Sequence, residues 1–151
     1  MRQICISAWS RSGAKRKVLR WEEAATTRII EKLERIGDPR KRLHALFASV
    51  TRHHRKGSAI YVAIAAAAIE HPIAAEVLSR VTARRLEFVV DAYRMLGLSR
   101  AAASDRALLA YAAYLGLLHL ERDAASAIPR GAAFERYVKH VVETLLPPKS
   151  P

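Results

Sequence analysis

The side chains in this chain able to bind a metal, move a proton or attack a substrate are few enough to weigh singly. His53 and His54 are adjacent, so on a helix they project about 100° apart and cannot share one metal ion. Arg52, Arg55 and Lys56 beside them would repel a cation, and a solvated basic helix end is expected there. Lys56-Gly57-Ser58 lacks the preceding glycines that aim backbone donors at phosphate groups. Glu70-His71 stands before Pro72 without a third partner in the sequence, which suggests a structural role. Glu87 and Asp91 lie one helical turn apart, but Arg84 and Arg94 flank them. Catalytic carboxylate pairs need different, partly desolvated surroundings to split their pKa values, so an ordinary charged face is expected. Cys5 is the only cysteine; it cannot form an internal disulfide or a thiolate metal site, and it suits a reducing cytoplasm. His119 stands inside an apolar run and is either a ligand contact or a core or interface histidine. These residues point to no enzyme, no metal and no cofactor.

Composition narrows the class further. The 151 residues suit one domain, with 51% hydrophobic and 26% charged residues, the profile of a globular protein. Alanine is abundant, while Gly and Pro are sparse and fall at punctuation points, which favours an all-α fold. The apolar runs 59–69 and 107–120 fall short of the ~20 residues that cross a bilayer, and 4–9 is too short for a signal-peptide core. A cytoplasmic protein with no membrane partner is therefore expected. The net charge is +12, and half of it comes from Arg2, Arg11, Lys15, Arg16, Lys17 and Arg20, with no acid among the first 20 residues. Residues 1–17 are expected to form a disordered basic tail, able to hold phosphate backbones through counterion release.

Periodicity and punctuation together predict six helices. From Val18 the apolar positions recur as Trp21, Ala25, Ile29, Leu33 and Ile36, one helical stripe, which Gly37 should end through a left-handed cap. Asp38-Pro39 opens the second helix as N-cap and first residue, with Leu43, Leu46, Phe47 and Val50 inward. Gly57-Ser58 is expected to break the chain and cap a third helix, 59–70, apolar nearly all round and so buried. Pro72 opens a fourth helix running to Gly97, about 39 Å long, with Val77, Val81, Phe88, Ala92 and Leu96 as its core face. Ser99 caps the fifth. Between Arg106 and Glu121 that helix carries no charge, with Leu108, Tyr111, Ala112, Leu115 and Leu118 on one face and Leu109, Ala113, Gly116, Leu117 and Leu120 on the other. A sixth helix presents Phe134, Tyr137, Val138, Val141, Val142 and Leu145 before Pro147-Pro148 stops it. The short loop through Pro129 and Gly131 should make it the antiparallel neighbour of the fifth. One small domain is short of material to cover both faces of the fifth helix, so a second copy of the chain is expected on it, with Ala112 and Gly116 allowing close approach.

The chain also resembles a known family. Trp21-Glu22-Glu23-Ala24, Thr27, Ile30 and Leu33, then Asp38-Pro39-Arg40 with Leu43 and Leu46-Phe47, are similar to the start of the C-terminal domain of TetR-family transcriptional regulators. So are His71-Pro72, Arg80-Val81 with Arg84, Leu96-Gly97, Arg106-Ala107 and Tyr111-Ala112-Ala113-Tyr114-Leu115-Gly116. Tyr137-Val138 with His140, Thr144-Leu145 and Pro147 complete the likeness, which spans about residues 18–148. It implies a TetR-like C-terminal helical bundle that binds a small effector and forms a homodimer through its last two long helices as a four-helix interface. The implied effector pocket falls at Phe47, Tyr61, Phe88, Met95, Tyr111 and His119. The implied dimer interface falls at Leu108, Ala112, Leu115 and Gly116 with Tyr137, Val138, Val141, Val142 and Leu145. The family's DNA-reading helix-turn-helix has no counterpart before Trp21. The expectation is a truncated regulator, to which DNA attaches by resemblance only. Two other functions fit the residues: a non-specific nucleic-acid binder acting through the basic tail, and an interaction module that pairs with full-length regulators.

Overall fold

The computed structural model describes residues 12–148; Arg2, Cys5 and Arg11 of the expected tail lie outside them. Six helices and no strand occur among the described residues. Helix α1 spans 12–34, as Ser12–Glu22, a π-helical turn Glu23–Thr27 and Arg28–Glu34. It is followed by α2 (Pro39–Arg52), α3 (His54–Ala68) and α4 (Pro72–Met95). Then come α5 (Arg100–Asp123), a single 3-10 turn (Ala125–Ala127) and α6 (Gly131–Leu145).

Local chemistry explains most of the boundaries. The Asp38 carboxylate accepts from the backbone N–H groups of Arg40 and Lys41 at 2.8 and 3.3 Å, with Pro39 in the first position. Ser99 Oγ accepts from Ala102 N–H at 3.2 Å. Gly97 sits at φ +93° and closes α4, with Leu98 N–H donating to Tyr93 O at 3.3 Å; a side chain would resist that conformation. Helix α1 is already formed at Ser12, ahead of the apolar stripe, because Ala, Lys and Arg favour helix without any burial.

Three expectations about the early helices need correction. Gly37 does not adopt a left-handed conformation. The terminal carbonyls of α1 are taken instead by Arg42, whose guanidinium donates to Ile36 O at 2.9 and 3.1 Å and to Glu34 O at 3.4 Å. Gly57-Ser58 is no break: α2 and α3 meet at His53, and both residues lie inside α3. Ser58 Oγ donates to Leu118 O at 2.8 Å in the interior, so it ties α3 to α5. Helix α3 is not buried all round either. His54, Ser58, Tyr61 and Ile64 face inward, while Ile60 and Ile69 are exposed; its outward alanines supply helix propensity more than burial.

Helices α3, α4 and α5 pack on one another, α1 lies along α4, and α6 rests chiefly on α2. The main core joins Leu43 and Phe47 of α2, Val89, Ala92 and Tyr93 of α4, the small face Ala103, Ala107 and Ala110 of α5, and Val138, Val142 and Leu145 of α6. A smaller core at the other end gathers Val18, Ile64, Val77 and Val81 under Trp21. The expected α5–α6 hairpin is therefore wrong as the principal contact of α6. Ile128, at the end of the 3-10 turn, is buried, and the connection through it carries α6 over to α2. There Arg52 pairs with Glu135 at 3.0 Å, Phe134 meets the His54 ring at 5.3 Å, and Arg40 donates to the Pro147 carbonyl.

Candidate functional site

A cavity of about 410 Å³ opens between α1, α2, α3, α4 and α5, inside the range of small-molecule sites. Its walls follow from the helix periodicities. Helix α1 contributes Trp21, Ala25, Ile29 and Leu33; α2 contributes Leu46, Phe47 and Val50; α3 contributes Gly57, Ile60 and Tyr61. The far wall holds Phe88 and Val89 of α4 with Ala110, Tyr111 and Tyr114 of α5. Small residues at Ala25, Gly57 and Ala110 leave the space that larger neighbours enclose. Ile29 and Ile60 line it while remaining 40% and 51% exposed, so they form the mouth, near His53 and Lys56.

The π-helical turn belongs to this wall. Arg28 N–H reaches back five residues to Glu23 O, which widens the helix and brings Ala24, Ala25 and Thr26 to the cavity. Three arginines of α4 hold that segment. Arg80 donates to both Glu22 carboxylate oxygens at 2.8 and 2.7 Å, and Arg84 donates to Thr27 Oγ1 at 2.7 Å. Arg85 donates through Nε to Thr26 Oγ1 at 3.1 Å and through Nη2 to Ala25 O at 3.0 Å. Its guanidinium carbon stands 5.6 Å from the centre of the Trp21 ring.

Polar groups in the cavity are few. Burial pushes the Tyr61 and Tyr114 hydroxyls above the ordinary tyrosine value, and the Arg85 charge pulls both partly back. The Tyr111 hydroxyl shares a hydrogen bond of 3.3 Å with Thr82 Oγ1, and its ring lies 6.3 Å from that of Tyr114. No group here is arranged as a nucleophile with its base.

No family model, curated protein or solved structure matches this chain.

The sequence-derived site residues separate cleanly. Phe47, Tyr61, Phe88 and Tyr111 line the cavity. Met95 does not: it is 58% exposed and its sulfur accepts a long contact of 3.8 Å from Arg42. His119 is exposed on the outer side of α5, because the helix turns its apolar run outward there. Of the residues expected at a dimer interface, Val138, Val142 and Leu145 are buried in the protomer's own core, since α6 spends its apolar face on α2. Leu108, Ala112 and Gly116 are exposed, and Leu115, Tyr137 and Val141 are half-buried.

Sequence reasoning missed Arg85, Trp21, Thr26 and Tyr114 as cavity residues. One signal was present: the core stripe Val77, Val81, Phe88, Ala92 of α4 lacks an apolar member at 84–85, where two arginines stand. His54 was also misjudged. It is buried, with Nδ1 2.8 Å from Thr51 O and Nε2 3.0 Å from a Glu121 carboxylate oxygen. Both ring nitrogens are thus within hydrogen-bond distance of an oxygen. This ties the start of α3 to the end of α5.

Proposed function

We propose that this chain is the effector-sensing and dimerising module of a transcriptional regulator of the TetR kind. The observation that carries the reading is the cavity of about 410 Å³, walled mainly by apolar surface of five helices, beside an α5 face that none of the described residues covers. Leu108, Leu109 and Leu120 on that face are 61%, 59% and 44% exposed, with Ala112, Ala113 and Gly116 between them. Leucines of this exposure, grouped along one helix around small residues, mark an association surface. A second copy placed on the α5 face, flanked by Tyr137 and Val141 of α6, buries them. Ligand in the cavity touches Ala110, Tyr111 and Tyr114 of the same helix that bears the interface, so occupancy and pairing geometry are mechanically joined.

The test has two arms. Light scattering should find a dimer at micromolar concentration, and a neutral apolar probe should raise the melting temperature of the full chain. A monomer that takes up no such probe would remove this reading. A second reading has its own support: Lys15, Arg16, Lys17 and Arg20 are all exposed at one end of α1. On that reading the chain holds nucleic-acid backbones without sequence preference, with affinity falling steeply as salt rises. Binding that is insensitive to salt, or absent, would exclude it.

A further inference from the structure

The cavity wall includes a cation, Arg85, that no carboxylate among the described residues answers. Arg85 Nη1 is buried and has no hydrogen-bond partner among the described residues. The other two guanidinium nitrogens donate to the Thr26 hydroxyl and the Ala25 carbonyl, and the Tyr114 hydroxyl also interacts with the guanidinium, so each of these polar contacts is with a neutral group. Arg85 forms no ion pair among the described residues, although every aspartate and glutamate of the chain lies within them. Glu22, the neighbour of Trp21 in α1, is spent on Arg80. A buried cation with an unmade hydrogen bond is costly unless a partner supplies it.

We propose that the cavity takes a monocarboxylic acid with an apolar body, its carboxylate docking on Arg85 Nη1 and its hydrocarbon lying among Phe47, Ile30, Phe88 and Ala110. The inference rests on reading the cavity as an effector site. One free guanidinium nitrogen in a mainly apolar wall suits the single charge of a carboxylate better than the doubly charged head of a phosphate. Tyr61 and Tyr114 line the same space, and their hydroxyls are the remaining donors for the second carboxylate oxygen. Thr26 and the Ala25 carbonyl hold the guanidinium from behind, so its orientation is set before ligand arrives. The Trp21 ring stands 5.6 Å from the guanidinium carbon, within cation–π range.

Calorimetric titration of the full chain with decanoate, decanamide and decylammonium at neutral pH tests this. A charge-assisted hydrogen bond in a dry site predicts decanoate binding about tenfold or more tighter than decanamide, and decylammonium weakest. In Arg85→Gln the acid and amide should bind alike, with amide affinity retained, and Arg85→Lys should keep part of the preference. Ala110→Phe, which fills the cavity, should abolish binding of both. Equal binding of acid and amide to the parent protein would overturn the carboxylate assignment and leave the effector site standing. Binding of none of the three probes would bring down the effector site as well. An acid preference that survives Arg85→Gln would assign the anion to another cation, such as Lys56 at the mouth, and overturn the proposal. Should Arg85→Gln fail to fold, the parent ratio together with Arg85→Lys and Ala110→Phe decides the matter.

Discussion

Single side chains in this molecule join helices that share little apolar surface. The Tyr93 ring is fully buried, and its hydroxyl donates to Leu145 O at 2.7 Å, tying α4 to the end of α6. Burial pushes that hydroxyl up to about 12, so it stays a donor throughout the working range. Tyr93→Phe leaves the carbonyl unanswered and should cost about 1–2 kcal/mol in urea denaturation, with the ring packing unchanged. Glu22 behaves differently because it ionises in an accessible range. Its paired hydrogen bonds to Arg80 hold the carboxyl below its ordinary value, with the charges of Arg80 and Arg84 adding and burial opposing. A lowered folded-state value means that the stability it contributes is complete above the ordinary carboxylate range. That contribution is lost as pH falls through the lowered value. Glu22→Gln should therefore be less stable than the parent near neutrality and nearly equal to it in strong acid; a gap that persists in acid would assign the effect to packing.

At the scale of elements, the sequence was legible wherever one face of a helix is apolar and a cap residue is present. Asp38-Pro39, Pro72, Ser99 and Gly97 mark boundaries where the structure has them, since each acts through its own backbone neighbours. The boundaries made by distant partners were not legible. Arg42 finishes α1 from α2, and His53 divides α2 from α3 without any break signal of its own. The π-helical turn Glu23–Thr27 likewise depends on grips from Arg84 and Arg85, residues of α4. Four of the six expected cavity residues fell on the cavity because aromatic residues on inward stripes either fill the core or line its gaps. Met95 and His119 lie away from the cavity because they sit past the edge of those stripes. The charge-free run of α5 pointed to surplus apolar surface: Ala107, Ala110, Leu117 and Leu118 turn inward, while Leu108, Leu109 and Leu120 are exposed. Gly116 offers a clean test of what covers them. A Cβ there would meet nothing within 4 Å, and a mid-helix Gly costs about 1 kcal/mol relative to Ala. Gly116→Arg should thus leave the protomer as stable or more so while converting the dimer to monomer by light scattering. A dimer that survives the change would place the interface elsewhere.

The whole molecule divides its labour between ends and faces. A core of α2, α4, α5 and α6 holds one side together, a smaller core under Trp21 holds the other, and the cavity lies between them. In that arrangement α1, with its π-helical turn, is held against the cavity by the arginines of α4. It also leaves α5 with Ala110, Tyr111 and Tyr114 on the cavity and Leu108, Leu109 and Leu120 exposed on its outer side. On this account the two faces belong to one device, in which occupancy of the cavity and pairing of subunits are read through the same helix. The claim stands first on the pairing. The most direct measurement is the mass of the full chain in solution by light scattering at micromolar concentration. The account predicts twice the chain mass of 16.8 kDa; a stable species at the single-chain mass would contradict it.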